Sequence, residues 1–198
     1  MRGFGHRLGP WIERALGIVG VSPFALIHED RRVLERTIFP SLIRRDDIRR
    51  ILFVGCEWYT RRYEWIFRSR DYWTLEKDPG KRRYGADNHV IGRLEHLGRY
   101  FAPGSLDLII CNGVYGWGLN VAEDGDRAFA AAFEALREGG LLLLGWNDVP
   151  ERRPFPLADC PSLARFARYR FEPLAAEDYL TNTPYRHVYS FYARSRGP

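Results

Sequence analysis

The 198-residue sequence contains few cysteines and no long uninterrupted hydrophobic segment. Its three cysteines, Cys56, Cys111 and Cys160, are an odd number at spacings that match neither a disulfide framework nor a zinc site. We therefore expect reduced thiols, no bound metal and a cytoplasmic location. No apolar run reaches the roughly 18 residues of a membrane-spanning helix, and residues 1–16 lack the apolar core and cleavage site of a signal peptide.

Lysine is almost absent, and the basic character of the chain comes from arginine. The sequence has 30 basic and 25 acidic residues and a net charge of +5, and only Lys77 and Lys81 are lysines. Acidic residues are interspersed among the arginines, and no basic run is long. This pattern is compatible with an anionic partner, and equally with the charge that keeps any protein soluble.

The hydrophobic pattern changes near residue 48. The first 47 residues favour helices, with an apolar stripe from Trp11 to Val19 and a second stretch from His28 to Leu42 that Pro40 interrupts. From residue 48 onward, short apolar runs typical of buried strands alternate with amphipathic segments. We therefore predict an N-terminal helical extension over 1–47 and one α/β domain over 48–198.

The α/β region predicts a doubly wound, mostly parallel seven-stranded sheet closed by an antiparallel strand. The final strand has an alternating pattern, which favours antiparallel pairing. The clearest helix covers 126–137, with Asp124 or Asp126 as its cap and Gly139-Gly140 as its stop. The predicted strands cover 51–54, 72–75, 89–91, 106–111, 141–144, 169–174 and 186–193, and the other helices cover 60–70 and 93–101.

Five pieces of this region occur in an informative order. They are Ile51–Thr60 (a strand and a turn), Leu75–Pro79 (an acidic residue ending the second strand), Gly92–Leu97 (after the third strand), Ser105–Gly113 (the fourth strand) and Ala135–Leu144 (a helix end, a double-glycine turn and the fifth strand). Together they resemble the class I S-adenosylmethionine-dependent methyltransferases, a family with a Rossmann-like fold. The resemblance spans about residues 48–194.

The resemblance implies S-adenosylmethionine as the cofactor, bound beyond the carboxyl ends of the strands, where open α/β sheets hold their ligands. Glu76 would accept hydrogen bonds from the ribose hydroxyls, and Leu94 would flank the adenine. Asn112 and Gly113 would line the methionine end. The implied cofactor-binding residues are Gly55, Cys56, Glu57, Glu76, Lys77, Leu94, Asn112 and Gly113.

The first loop departs from the family pattern. Phe53 replaces an acidic residue near the end of the first strand, and Glu57 and Tyr59 replace the second and third loop glycines. Bulky residues bring the backbone less close to a ligand than glycine does. Arg93 stands where the family often has an aspartate for the adenine amino group. We hypothesise that Glu57 supplies negative charge for the ammonium group of the cofactor.

Aromatic and polar residues follow the fourth and fifth strands, where they should border the ligand crevice. Aromatic faces attract a cationic sulfonium and also suit a flat or sugar-like acceptor. Asp148 is a candidate base for an acceptor that loses a proton, although with Asn147 it equally suits a turn before Pro150. Tyr115 and Trp117 equally suit the core. The candidate catalytic residues are Tyr115, Trp117, Asn147 and Asp148.

The favoured function is methyl transfer to a small-molecule or saccharide acceptor. The arginines of 149–171 would suit an anionic acceptor, or would simply be solvated. The alternatives are an RNA methyltransferase that uses the arginine excess, and a non-catalytic binding protein whose first loop no longer holds the cofactor. A nicotinamide-dependent dehydrogenase is disfavoured because Gly55 is not followed by the two further glycines of the dinucleotide motif. His28, His96 and His187 have no partner pattern in the sequence, which favours packing or surface roles.

Overall fold

Eight strands form one mixed sheet in the computed structural model, which describes residues 28–195. Their order across the sheet is β3-β2-β1-β4-β5-β8-β6, with β7 also paired to β8. Strands β1 to β5 are parallel, and β8 is antiparallel to β5, β6 and β7. The predicted doubly wound class is confirmed. The strands are β1 Arg50–Val54, β2 Asp71–Glu76, β3 His89–Ile91, β4 Leu106–Asn112, β5 Leu136–Asn147, β6 Phe166–Arg168, β7 Asp178–Leu180 and β8 His187–Arg194.

The sheet has one strand more than the sequence predicts, and the difference lies near its antiparallel edge. The predicted strand over 169–174 is wrong, because β6 ends at Arg168 and residues 172–174 form a 3-10 turn. The short strand β7 was not predicted. Three-residue edge strands pair with one neighbour only, so they leave little periodic signal in the sequence.

The described part of the N-terminal extension is helical from Glu29 to Ile43. It comprises α1 (Glu29–Val33), a π-helical turn (Leu34–Ile38) and α2 (Phe39–Ile43). Pro40 lies in the first turn of α2 rather than interrupting the segment, and the wider π-helical turn directly precedes it. The stripe from Trp11 to Val19 lies outside the described residues.

The longest helix, α4 (Ala122–Ala135), begins and ends earlier than predicted. Neither predicted cap is used: Asp124 bonds Arg93 and Arg127, and Asp126 accepts the Ser162 amide at 2.7 Å. Gly139 and Gly140 do not stop the helix. They lie within β5, where the register with β4 shifts.

Two other predicted helices are mostly turns. Only α3 (Tyr63–Ile66) forms within 60–70, and a 3-10 segment over Leu94–Arg99 replaces the helix predicted over 93–101. The Thr60 hydroxyl accepts from the Glu57 amide at 3.0 Å and donates to the Glu57 carbonyl at 2.8 Å. These local bonds compete with helical ones and explain the late start of α3.

Two hydrophobic clusters cover the two faces of the sheet. Leu52 and Val54 of β1 pack with α4 on one face, whereas Ile51 and Phe53 pack with α1 and α2 on the other. The N-terminal segment therefore forms part of the layer on one face, and a boundary at residue 47 remains a prediction. Within residues 28–195, no helix is long and apolar enough to cross a membrane.

Candidate functional site

A cavity of about 620 Å³ lies at the carboxyl ends of the parallel strands. The chain passes from β3 to β4 across β1, so the strand order reverses between β1 and β4, where open α/β sheets bind ligands. The volume is within the range typical of small-molecule sites. All eight residues predicted to bind the cofactor line this cavity: Gly55, Cys56, Glu57, Glu76, Lys77, Leu94, Asn112 and Gly113.

The loop after β1 turns sharply at Gly55. This residue has φ of 88°, a conformation that L side chains rarely adopt, and its amide donates to the Leu75 carbonyl at 2.9 Å. The turn directs the next amide, that of Cys56, to the carboxylate of Glu76 at 2.8 Å. Gly55 therefore ties the loop to the end of β2.

Glu76 ends β2 and is 7% exposed. One carboxylate oxygen accepts the Cys56 amide at 2.8 Å, and the other accepts the Asp78 amide at 2.9 Å. Each oxygen has a second lone pair, so the fixed carboxylate can still accept hydrogen bonds from a ligand. A pair of adjacent hydroxyls is a matching donor set.

Glu57 already has a cationic partner in the cavity wall. Its carboxylate forms an ion pair with Lys81, and this hydrogen bond raises the pKa of Lys81. A ligand ammonium group would have to share or displace Lys81. The hypothesis that Glu57 binds the cofactor ammonium stays a prediction.

At the adenine end of the predicted site, a guanidinium is paired with two carboxylates. Arg93 contacts Glu95 at 2.6 Å and Asp124 at 3.3 Å. Leu94 is 4% exposed and supplies an apolar surface beside this network. Lys77 reaches across the cavity mouth to the Gly118 carbonyl at 3.2 Å.

Asn147 connects two loops at the opposite end of the cavity. Its side-chain oxygen accepts from the indole of Trp117 at 3.4 Å, and its amide nitrogen donates to the Tyr185 carbonyl at 3.2 Å. The guanidinium of Arg152 lies 3.3 Å from the centroid of the Trp117 ring. Trp117 and Tyr185 are 55% and 64% exposed, so this rim presents aromatic surface to a ligand.

Two of the candidate catalytic residues lie outside the cavity lining. Tyr115 is 1% exposed, its hydroxyl donates to the Phe155 carbonyl, and burial raises its pKa. Asp148 forms ion pairs with Arg153 and Arg186, each at 3.2 Å. Trp117 and Asn147, by contrast, line the cavity. A catalytic role for any of the four residues stays a prediction.

A buried hydrogen bond crosses three strands at the cavity floor. Nε2 of His187 lies 3.0 Å from Oδ1 of Asn112, and the bond passes over Gly145 of the intervening strand β5. Burial lowers the pKa of His187 to about 4, so the ring is neutral near pH 7. Because Oδ1 only accepts, Nε2 carries the proton and Nδ1 keeps a free lone pair.

The sequence did not indicate this pair, because β4 and β8 are far apart in the chain. An interpretable signal was present in Gly145, which interrupts the apolar run of β5 from Leu141 to Trp146. A β-carbon there would lie 1.8 Å from Asn112 Oδ1, so only glycine leaves room for the bond.

Helix α1 contributes charged residues to the cavity wall, which the sequence did not indicate. Arg31 donates to the Tyr63 hydroxyl at 3.1 Å and lies 4.5 Å from the centroid of the Tyr59 ring. Tyr63 in turn donates to Glu35 at 3.0 Å. Burial lowers the pKa of Arg31, but the surrounding phenol groups and Asp30 more than compensate and raise it above the ordinary value.

Most arginines of 149–171 pair with carboxylates rather than facing the cavity. Arg165 contacts Glu134 at 2.7 Å, and Arg168 contacts Asp178 at 2.6 Å. Arg152 alone in this region lines the cavity. Across residues 28–195, no group of three or more potential ligand side chains could hold a metal ion.

The chain has the fold of the class I S-adenosylmethionine-dependent methyltransferases, and the predicted Rossmann-like fold is confirmed. One similar structure is the N-methyltransferase NodS from Bradyrhizobium japonicum in complex with S-adenosylhomocysteine, at 14% identity, a TM-score of 0.58, and coverage of 82% of this chain and 88% of NodS. No protein-family model matches the sequence, and a search of curated proteins finds no match.

Two further structures extend the likeness over nearly the whole chain. A TehB-like methyltransferase from Corynebacterium glutamicum has 14% identity and a TM-score of 0.56, covering 92% of this chain and 100% of that one. The 1,6-didemethyltoxoflavin-N1-methyltransferase from Burkholderia thailandensis has 10% identity and a TM-score of 0.52, covering 98% and 94%. At these identities the likeness establishes the fold.

Proposed function

We propose that this protein transfers a methyl group from S-adenosylmethionine to a small-molecule or saccharide acceptor. The observation that carries the proposal is the fixed carboxylate of Glu76 in a cavity that also exposes Leu94, Gly55 and Gly113. Glu76 ends β2, and Leu94, Gly55 and Gly113 follow β3, β1 and β4. The four residues therefore form a row along one edge of the sheet. Neighbouring strands are about 4.8 Å apart, and the row therefore suits an extended nucleoside with a side chain.

We propose a place along this row for each part of the cofactor. Leu94 flanks the adenine, Glu76 accepts from the ribose hydroxyls, and the methionine end lies over Gly55, Asn112 and Gly113. A β-carbon at Gly113 would meet no atom within 4 Å, so the cavity is open at this point. The NodS and toxoflavin enzymes, both similar in fold, have structures with S-adenosylhomocysteine, which supports the assignment.

The bound cofactor would supply an electrophilic methyl group on a cationic sulfur. Trp117 and Asn147 form the rim on the acceptor side, and Arg152 above Trp117 suits an anionic group on the acceptor. The neutral His187 can accept a hydrogen bond at Nδ1 from an acceptor hydroxyl or amine. Positioning of this kind can lower a barrier by about 7–11 kcal/mol in well-oriented cases.

Two features support the finer parts of the proposal. The carboxylate pairing of Arg165 and Arg168 leaves them poorly available to nucleic acid, which favours a small acceptor over RNA. Cys56, Cys111 and Cys160 are all free and buried, which supports a reducing, cytoplasmic compartment.

The first experiment is isothermal titration with S-adenosylmethionine and S-adenosylhomocysteine, with NAD as the control ligand. We expect binding of both sulfur compounds and none of NAD. Replacing Glu76 by alanine removes the charged acceptor proposed for two ribose hydroxyls. Because each hydrogen bond to a charged group contributes about 1.5–3 kcal/mol, the affinity for both sulfur compounds should fall at least about 10-fold. The matched control is Glu172→Ala, since this carboxylate is 79% exposed and lies outside the cavity lining.

Thermal unfolding of Glu76→Ala distinguishes loss of binding from loss of fold, since Glu76 also holds the Cys56 and Asp78 amides. Failure of the unmodified protein to bind either sulfur compound would contradict the proposal and favour the non-catalytic alternative. Salt-sensitive binding of RNA by the same preparation would instead favour the RNA alternative.

A further inference from the structure

We propose that Arg31 binds the carboxylate at the amino-acid end of the cofactor. This inference rests on the proposed function and deepens it, because it assigns a cavity-lining residue of the N-terminal segment to ligand binding. The cofactor needs a cationic partner at this end, and the first loop supplies an anionic Glu57 and a bulky Tyr59 instead of glycine backbone.

The position of Arg31 matches the methionine end. Its guanidinium lies over Tyr59 and bonds Tyr63, and both residues belong to the segment that follows β1. Leu94 is at the other end of the row, beyond β2, where the adenine is placed. An amino-acid group that extends from the ribose at Glu76 toward β1 and β4 therefore approaches Arg31.

Among residues 28–195, no carboxylate lies at hydrogen-bond distance from the Arg31 guanidinium, in contrast to two other cavity cations. Lys81 and Arg93 have carboxylate partners at hydrogen-bond distance, Glu57 and Glu95 respectively. Lys77 and Arg152 bond backbone carbonyls near the mouth. Within residues 28–195, the one hydrogen bond of the Arg31 side chain goes to a neutral phenol.

Asp30 has the nearest described carboxylate to Arg31. It partly offsets the positive charge of Arg31 without accepting a hydrogen bond from the guanidinium. Oδ2 of Asp30 lies 3.9 Å from Nε of Arg31, which is beyond hydrogen-bond distance. A guanidinium has five N–H donors in a planar fork, so four remain after the bond to Tyr63. A carboxylate is the ligand group that matches two parallel donors of that fork.

The surroundings hold the guanidinium in place and limit its solvation. The Arg31 side chain is 14% exposed, and the Tyr59 ring covers one face of its guanidinium. Tyr63, which accepts a hydrogen bond from Arg31, is held in turn by its own hydrogen bond to Glu35. Low exposure weakens screening by salt, and a preorganised fork loses little side-chain entropy on binding. A charge-assisted contact here should therefore contribute measurably to affinity.

The test compares two ligands that differ at the proposed contact. S-adenosylhomocysteine carries the amino-acid group, whereas 5′-methylthioadenosine has the same nucleoside and sulfur without the carboxylate. Isothermal titration should show that Arg31→Gln weakens the binding of S-adenosylhomocysteine by at least about 10-fold, the loss expected for a single hydrogen bond between charged groups. Binding of 5′-methylthioadenosine should change less than about 2-fold.

Arg32→Gln is the matched control, because it removes the same charge from the same helix. The Arg32 side chain is 58% exposed, contacts Glu29 at 4.0 Å and does not line the cavity. This variant should bind both ligands like the unmodified protein. Arg31→Lys keeps the charge but not the fork, so its loss of S-adenosylhomocysteine affinity should be smaller and again selective for that ligand.

The inference would be overturned if Arg31→Gln and Arg31→Lys weakened the binding of both ligands equally, or changed the binding of neither. If circular dichroism shows that Arg31→Gln does not fold, the test uses Arg31→Lys and compares its loss of affinity for S-adenosylhomocysteine with that for 5′-methylthioadenosine. An unmodified protein that binds 5′-methylthioadenosine as tightly as S-adenosylhomocysteine would overturn only the role of Arg31. One that binds neither would contradict the proposed function itself.

Discussion

Replacing Gly145 by alanine should destabilise the protein by about 2–6 kcal/mol. The new β-carbon would lie 1.8 Å from Asn112 Oδ1 and 3.0 Å from His187 Nε2, so the two side chains must separate. Overpacking a core position costs about 1–3 kcal/mol. Loss of the Asn112–His187 bond leaves buried polar groups without partners, at about 1–3 kcal/mol more.

Urea unfolding at neutral pH measures this cost through the midpoint and slope of the transition. Gly98→Ala is the matched control, since a β-carbon there would meet no atom within 4 Å, and its stability should change by less than about 1 kcal/mol. In an Asn112→Ala background most of the clash is gone. There, Gly145→Ala should cost at least about 1 kcal/mol less than in the unmodified protein.

A cost below about 0.5 kcal/mol for Gly145→Ala would refute the close crossing of the two side chains over β5. Strict additivity with Asn112→Ala would refute it as well, because independent sites do not share a steric conflict.

Two further predictions concern titratable groups. Burial lowers the pKa of His187 from 6.5 to about 4; Asp30 acts in the other direction, and Arg31 lowers the pKa further. Between these two pKa values the unfolded state binds more protons than the folded state, so the free energy of unfolding should fall as the pH drops from 6.5 to 4. Urea titrations should show a weaker pH dependence for His187→Gln. An unchanged slope would contradict the buried neutral ring. Burial raises the pKa of Cys56 and Cys111 to about 12 and that of Cys160 to about 11, so a thiol reagent at about pH 8 should label them only after denaturation. Rapid labelling of native protein would contradict this placement.

The central sheet could be predicted because each strand has its own signal. Ile51–Val54 and Leu106–Cys111 are short apolar runs buried on both faces, and such runs identify parallel strands without knowledge of the neighbours. The end of β1 at Val54 and the end of β4 at Asn112 follow from these runs. Strand ends determine which residues reach the crevice, which explains why all eight predicted cofactor residues line one cavity.

Helix boundaries were less predictable because side chains that suit a cap also suit tertiary contacts. Asp124 and Asp126 fit the sequence pattern of caps, but Arg93, Arg127 and the Ser162 amide bind them instead. The helix begins at Ala122 after Val121, which offers no side-chain cap. The partners that decide this outcome lie 31 and 36 residues away for Arg93 and Ser162, beyond any local pattern.

The proposed acceptor side was hardest to infer, because its residues come from segments distant in the chain. Tyr115 and Trp117 are two residues apart, yet one points to Phe155 in the core and the other to Asn147 at the rim. Composition cannot separate them. His187 gains its role only through the antiparallel pairing of β8 with β5, which brings it to Asn112.

The bulky residue Tyr59 of the first loop contacts Arg31 of helix α1. Glycine at position 59 would bring the backbone nearer to a ligand but would leave the Arg31 guanidinium without the ring that covers it at 4.5 Å. With tyrosine at this position, the loop contacts Arg31 of α1 at the cavity wall. The proposed carboxylate contact of Arg31 would then replace the backbone contacts of a glycine loop. Tyr59→Gly should therefore weaken the binding of S-adenosylhomocysteine more than that of 5′-methylthioadenosine, as we expect for Arg31→Gln. If Tyr59→Gly instead strengthens both ligands equally, the ring only obstructs the site, and the departure from the family pattern has no compensating role.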